Sequence, residues 1–178
     1  VSITIAKSIP VAAGMAGGSA DAAAPLVALR RLWALDLPDA MLDEIAADLG
    51  SDVPFSLQGG TARGTGRGEL LTPVLTQGEL HWVVALSESE LSTPHVYAEW
   101  DRLLAEGRVV AAGDAPDLDA PLLSALRQGD PRGVAEHLVN DLQPAALALR
   151  PSLRSVLDAG AELGALAGMV YVSGPTCF

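Results

Sequence analysis

The sequence predicts a chain that mixes helices with short strands, and three observations carry that prediction. The run Val1–Ile9 sets Val1, Ile3 and Ile5 against Ser2, Thr4 and Ala6, the two-residue period of a half-buried strand. A glycine-containing stretch, Gly14 to Gly18, then opens a segment in which Ala22, Leu26, Leu29 and Trp33 recur at helical spacing. Further on, apolar segments of helical period are separated by a run of Trp and Val type, His81 to Leu86, that reads as another strand.

The chain has 178 residues, enough to bury a core as one domain or as two small ones. Apolar residues make up 49% and aromatics only 4%, so the interior is expected to consist mainly of Ala, Leu and Val. A net charge of −11 argues against nucleic acid or an anionic membrane as partner. It does not exclude ATP, which is held by local N–H groups and Mg²⁺. Cys177 is the only cysteine, which forbids an internal disulfide and fits a reducing, cytoplasmic setting. No apolar stretch approaches the ~20 residues of a membrane span, and no basic-then-apolar leader stands at Val1. The chain opens inside a strand-like run and closes on Phe178, so both ends read as cut.

Strand, glycine loop, helix is the order in which a backbone can wrap an anion. Gly14, Gly17 and Gly18 permit positive φ and close approach, and the first turn of the following helix offers unpaired N–H groups at its positive end. The helix dipole alone is worth only ~0.3–1 kcal/mol to a surface charge, so a phosphate cradle needs several direct N–H bonds as well. The same spacing also suits a plain connector. Neither GxxxxGK[ST] nor a GxGxxG in the strand-to-helix position is present. Ser19 is a plausible N-cap, and could equally turn its hydroxyl to a phosphate or to Mg²⁺. Pro25 falls beyond the first turn, where proline costs ~3 kcal/mol, and a bend is expected there.

Leu37-Pro38-Asp39 marks a turn and a helix start. Met41, Leu42, Ile45, Ala46 and Leu49 form a second apolar face, with Gly50 as its C-terminal glycine. In Gly50-Ser51-Asp52-Val53-Pro54-Phe55, Asp52 reads as a cap or turn residue ahead of proline. Gly59 to Glu69 suggests two short strands around a tight bend, with a phosphate loop using Arg63 or Arg67 as the alternative. Thr93 and Pro94 can open a helix that buries Tyr97 and Trp100. Residues 107–121, rich in Gly, Ala, Asp and Pro, read as a mobile connection. Leu122–Leu126, Gly133–Leu138 and Leu153–Leu163 are helical by period, with Pro131 and Pro151 near starts and Asn140 or Asp141 capping the helix between. Gly168 to Cys177 reads as strand then turn. His81, His95, His137 and Cys177 have no metal-ligand spacing, and no residue is assigned to a metal.

Pro10 to Ala23 resembles the second motif of the GHMP kinases, Pro-x-x-x-Gly-Leu-x-Ser-Ser-x-Ala. Its Gly-Gly-Ser in place of Ser-Ser resembles the branch that phosphorylates 4-diphosphocytidyl-2-C-methyl-D-erythritol. The resemblance implies an α+β fold: an N-terminal domain like domain 2 of ribosomal protein S5, its later part at 1–75, and a ferredoxin-like C-terminal domain, incomplete, at 76–178. It implies that Pro10, Val11, Ala12, Ala13, Gly14, Met15, Ala16, Gly17, Gly18, Ser19 and Ala20 hold the phosphates of ATP, with Ser19 assisting a phosphate or Mg²⁺. Gly-x-Asp-Val-Pro at 50–54 is similar to the family segment whose aspartate accepts the substrate hydroxyl proton, here Asp52. A carboxylate of ordinary pKa, about 3.9, is a weak free base, but a loose phosphoryl-transfer transition state asks little beyond positioning and late proton acceptance. The family has a similar glycine-rich stretch to Gly64–Glu69 near its substrate site.

Thr93-Pro94 followed by Tyr97 resembles the segment whose aromatic stacks on the cytosine of the substrate, which makes Tyr97, with Thr93 nearby, the substrate-binding candidate. Asn140-Asp141-Leu142-Gln143-Pro144 also resembles a family segment. Ser173-Gly174-Pro175-Thr176 matches the second half of the third motif, Ser-Gly-Ser-Gly-Pro-Thr, but Tyr171 and Val172 stand where Ser and Gly are expected. Val172 is not expected to supply a positive φ, which would disturb packing onto the phosphate loop. Lys7 does not match the family's catalytic lysine, which precedes the loop, and is expected to face solvent. The implied activity is ATP-dependent phosphorylation of the 2-hydroxyl of 4-diphosphocytidyl-2-C-methyl-D-erythritol, in the non-mevalonate route to isoprenoid precursors. The implied partner is that cytidine diphosphate-linked small molecule, with no nucleic acid and no membrane. The alternatives are a homoserine or mevalonate type of kinase, or a nucleotide-binding remnant without catalysis. With the lysine and a strand neighbour expected upstream, this chain alone is expected to be inactive.

Overall fold

The computed structural model describes residues 1–9, 14–87, 91–111 and 120–178. The expectations placed on Pro10–Ala13, and on most of the 107–121 connection, lie outside these residues. The chain divides into two units, one holding Ala16–Leu75 with the start of the chain, the other holding Thr76–Phe178 with Gly14 and Met15.

Among the described residues the first unit holds three helices and a hairpin. Helix α1 runs over Gly17–Leu32, α2 over Asp39–Leu49 and α3 over Val53–Gln58. Strands β1 (Ala62–Thr65) and β2 (Leu70–Pro73) pair antiparallel, with Thr65 opposite Leu70. The core here is small: Ala23, Ala46 and Val53 are buried, with Ala22, Leu26 and Leu57 packed around them. Alanines at the crossings let α1 and α2 both approach α3 closely. Helix α1 continues through Pro25, and its neighbours Ala22 and Leu26 supply the packing that offsets the missing N–H bond. Gly50 follows α2 and donates its N–H to the Ala46 carbonyl at 3.1 Å, but its φ of 168° is extended backbone. The expected left-handed glycine cap is therefore not what ends this helix.

Residues 1–8 form no strand. Val1, Ile3 and Ile5 stay 81%, 56% and 57% exposed. Alternation buries one face only when a neighbouring strand takes up the backbone N–H and C=O groups, and none of the described residues does so.

The second unit is built on α4 (Thr93–Ala105), α5 (Ala120–Gln128), α6 (Pro131–Glu136), α7 (Gln143–Leu149) and α8 (Ser152–Glu162). Val96, Leu103, Ala145, Ala146, Leu153, Val170 and Cys177 form its buried core. The start of α6 is as expected, with the Asp130 carboxylate accepting from the Arg132 N–H at 3.1 Å. Helix α4 begins at Thr93, but Ser92 holds the cap position and no side chain caps it. Trp100 packs on the core, whereas Tyr97 is 52% exposed and does not.

The C-terminal stretch folds back on itself. Met169 N–H donates to the Phe178 carbonyl at 2.7 Å, Phe178 N–H to Met169 at 3.0 Å, and Tyr171 N–H to Thr176 at 2.8 Å. On the other side, Ala85 and Cys177 exchange N–H···O bonds of 2.8 and 3.1 Å. Among the described residues the expected strands at 81–86 and 168–177 pair as isolated bridges, Ala85 to Cys177 and Cys177 to Val170. In the turn between, Val172 takes a φ of 47°, against the expectation from its branched side chain.

A β-branched residue in the left-handed region stores strain. Because Val172 is half exposed, its side chain contributes little burial to set against that. Val172→Gly should therefore stabilise the protein by about 1 kcal/mol, the relieved strain exceeding the added freedom of the unfolded chain. Urea unfolding checks this, and a lower midpoint would show that Val172 holds its turn through packing.

Candidate functional site

The first unit carries an open helix start. Ala16, at φ 50°, turns the chain into α1, which no side chain caps and whose first turn holds no acidic residue. Among the described residues no side chain caps the first N–H groups of α1. Ser19 is the third residue of the helix rather than its cap, because the turn at Ala16 starts the helix earlier. Gly17 is needed for close approach: a Cβ there would lie 2.8 Å from Ile9 Cγ2. Gly18 faces open space, with nothing within 4 Å of the same position. Lys7 is exposed, as expected, and also forms an ion pair with Asp21 on α1. Its Nζ stands 3.0 Å from the place a Gly17 Cβ would take.

Asp52 immediately precedes α3. Its backbone carbonyl accepts from the Ser56 N–H at 3.2 Å and the Ser56 hydroxyl at 3.1 Å, but its carboxylate caps nothing and is exposed. The capping role read from the sequence is absent because Asp52 has helical φ and ψ of −92° and −6°, unlike the extended backbone of an N-cap. What fixes Asp52 is the next residue: Val53 is 2% exposed and packs in the Ala23–Ala46 core. Ala23 lies six residues beyond Gly17, about 9 Å along the helix at 1.5 Å per residue. The uncapped carboxylate and the uncapped helix start thus hang on one small core.

The second unit carries Thr93 and Tyr97, one helical turn apart on the same face of α4. Thr93 Oγ1 is 2.9 Å from Ser173 Oγ, and Ser173 is buried. Gly14, at φ 75°, lies against the same turn, where a Cβ on it would be 3.0 Å from the Gly174 carbonyl oxygen. Close approach of Gly14 to the third motif therefore survives Tyr171 and Val172. The Asn140 carboxamide explains how. Its Nδ2 donates to the carbonyls of Val170 and Val172, both at 2.7 Å, and its Oδ1 accepts from Leu142 N–H at 3.0 Å. Gln143 Oε1 accepts from the Val170 N–H at 2.8 Å. Two side-chain amides thus stand in for a neighbouring strand, and Val172 is held in the left-handed region from outside. Neither Asn140 nor Asp141 is the cap of α7, which is Leu142.

The second glycine-rich stretch is a hairpin turn that already contains an anion. Arg67 N–H donates to Glu69 Oε2 at 2.7 Å, and the Arg67 guanidinium lies 3.7 Å from Glu69 Oε1. The backbone N–H of Glu69 itself, then Arg67, hold this carboxyl below the usual carboxylate range. With its own carboxylate in the turn, the loop is not a phosphate cradle. Burial pushes the Cys177 thiol up, as befits a core residue rather than a nucleophile. Among the described residues no cluster of His, Cys, Asp or Glu could hold a metal ion by itself, and no helix is long and apolar enough to cross a membrane.

Of the residues singled out from the sequence, Gly17, Gly18, Ser19 and Asp52 belong to the first unit, and Gly14, Met15, Thr93 and Tyr97 to the second. The sequence reading missed Gln143 and Ser173 as partners of the turn and misassigned Asn140. The one available signal was that Asn140 and Gln143 flank Asp141-Leu142 in a segment with helical neighbours, the places from which side-chain amides reach backbone.

Residues 1–60 match the family model described as the GHMP kinases N terminal domain, and residues 122–178 match the GHMP kinases C terminal model. The chain is 58% identical to a 4-diphosphocytidyl-2-C-methyl-D-erythritol kinase of Mycolicibacterium smegmatis, over 99% of this chain and 54% of that protein. It is 59% identical to one of Rhodococcus jostii, over 99% and 56%, and 59% identical to one of Salinispora tropica, over 96% and 54%. It thus spans about half the length of the curated relatives it matches. A crystal structure of a 4-(cytidine 5'-diphospho)-2C-methyl-D-erythritol kinase superposes with a TM-score of 0.70 at 32% identity, over 96% of this chain and 58% of that one. With both domain signatures in order and an α+β arrangement like that of the solved kinase, the chain belongs to the GHMP kinases.

Proposed function

We propose that the protein transfers the γ-phosphoryl group of ATP to the 2-hydroxyl of 4-diphosphocytidyl-2-C-methyl-D-erythritol. The observation that carries this reading is Asp52, an exposed carboxylate with no capping bond, fixed by buried Val53 against the helix that opens from the glycine stretch. The names of the relatives support the same acceptor. In this reading the N–H groups at the start of α1 bind phosphate oxygens, assisted by Ser19, and Gly18 leaves them room. Mg²⁺, which favours oxygen ligands, would come with the ATP phosphates and would offset the charge on them. Asp52 orients the acceptor hydroxyl and takes its proton as the bond to phosphorus forms. The exposed ring of Tyr97 offers a stacking face for cytosine, with Thr93 beside it. That ring favours a cytidine-linked acceptor over homoserine or mevalonate. The uncapped Asp52 favours catalysis over nucleotide binding alone.

In the full-length protein, Asp52→Asn should leave ATP and acceptor affinities near those of the parent and lower kcat by about 10²-fold or more. Single-turnover kinetics test it, and near-normal turnover removes Asp52 from the mechanism.

Tyr97→Ala should raise KM for the cytidine-linked acceptor by roughly 5- to 150-fold, the worth of one base stacked on an aromatic ring. Tyr97→Phe should leave KM within about twofold, since the ring face is kept. Equal loss in both variants would point to the hydroxyl instead.

Gly18→Val places a side chain in open space at the helix start. The fold should persist, while ATP affinity falls about tenfold or more as backbone approach is blocked. Calorimetric titration beside a thermal scan separates the two effects, and unchanged affinity would make the loop a connector.

A further inference from the structure

We infer that Asn140 is a positioning residue for this reaction, setting through the 170–174 turn both the Gly14 end of the glycine stretch and the Thr93–Tyr97 face of α4. The inference rests on the function proposed above, and it concerns a residue that touches neither the candidate base nor the candidate stacking ring.

Three observations converge. The two hydrogens of Asn140 Nδ2 go to the carbonyls of Val170 and Val172, which bracket Tyr171. Val172 between them and the rest of the turn has a φ of 47°, a conformation its side chain disfavours, so the turn depends on an external restraint. That turn has neighbours on both sides: the Gly174 carbonyl oxygen lies 3.0 Å from the place a Gly14 Cβ would take, and buried Ser173 meets the Thr93 hydroxyl. Gln143 helps differently. It satisfies only the N–H of Val170, which lies in the hairpin rather than in the turn. Loss of Gln143 thus weakens the hairpin edge, whereas loss of the Asn140 donors frees the carbonyl of Val172 and with it the path to Gly174. A displacement of an ångström at a phosphate or acceptor contact is enough to change a rate by up to about a hundredfold.

Asn140→Asp tests this in the full-length protein. Aspartate keeps the size and the bond from Leu142 N–H, but opposes the carbonyls of Val170 and Val172 with a negative charge. The expected result is a rise of at least about fivefold in KM for both ATP and the acceptor, at a temperature where the fold is intact. Ser173→Ala, which removes only the Thr93 branch, should raise the acceptor KM alone. Gln143→Ala should lower the unfolding midpoint with both KM values within about twofold of the parent. If Asn140→Asp behaves like Gln143→Ala, destabilised but with KM values unchanged, Asn140 only holds the fold and the inference is overturned. Asn140→Ser, which loses the donors without adding charge, replaces it if the aspartate variant does not fold; failure of both to fold overturns the inference equally. A parent that binds ATP but phosphorylates no cytidine-linked acceptor sinks the proposed function instead. The ATP affinity of Asn140→Asp, measured by titration, still decides the role of Asn140 in that case.

Discussion

Val170 is fully buried, and neither its N–H nor its C=O is bonded within the hairpin to which it belongs. Both are taken by side-chain amides, the N–H by Gln143 and the carbonyl by Asn140. Each buried backbone group left without a partner would cost about 1–3 kcal/mol, a sizeable share of the stability of a domain of this size. The orientation of the Asn140 amide is dictated by its surroundings, because two carbonyls face its nitrogen and one N–H faces its oxygen. This pairing anchors the hairpin against the helices, and the hairpin in turn presents Ser173 to α4 and Gly174 to Gly14. Val170 and Cys177 then close the core beneath, beside Val96 and Ala146.

The first unit obeys a different constraint, that of small side chains. Ala23 and Ala46 are nearly inaccessible, and Val53 is the largest buried member of their cluster, with Leu42 buried outside it on α2. The transfer energy in such a core is modest, since burying a side chain of Val size is worth about 1.5–3 kcal/mol at most. Its value lies in precision. Short side chains have few rotamers, so the positions of α1 and α3 are set by backbone approach rather than by flexible packing. Asp52, one residue outside that core, inherits the definition while its carboxylate stays in water.

Much of this was legible in the sequence. Helical period marked α1, α2, α5 and α8, and Pro131 announced the start of α6. The glycines of 59–69 correctly gave a hairpin, but its internal anion, Glu69, could only emerge once the turn was closed and Arg67 N–H pointed inward. The N-terminal alternation shows which face a strand would bury but not whether a partner strand exists. Ser19 was displaced from the cap by a left-handed alanine, a choice no propensity favours. Val172 was judged by its own preference, whereas the restraint that overrides it comes from Asn140, 32 residues away. Roles set by long-range hydrogen bonds are invisible to local pattern. Asp52 and Tyr97, named from motifs, are proposed for chemistry because the Asp52 side chain caps no helix and the Tyr97 ring stays exposed.

In the proposed function Asp52, the start of α1 and the ring of Tyr97 each have a part in one phosphoryl transfer. The glycine stretch and Asp52 would serve any alcohol, so the identity of the acceptor is the most direct test. The decisive measurement is ³¹P magnetic resonance of the product formed by the full-length protein with Mg-ATP and one of three acceptors: 4-diphosphocytidyl-2-C-methyl-D-erythritol, homoserine or mevalonate. The account predicts a new phosphomonoester resonance, coupled to no proton because the 2-carbon is tertiary, with the first acceptor only. Phosphorylation of homoserine or mevalonate in preference, or ADP release without transfer to any of the three, would contradict it.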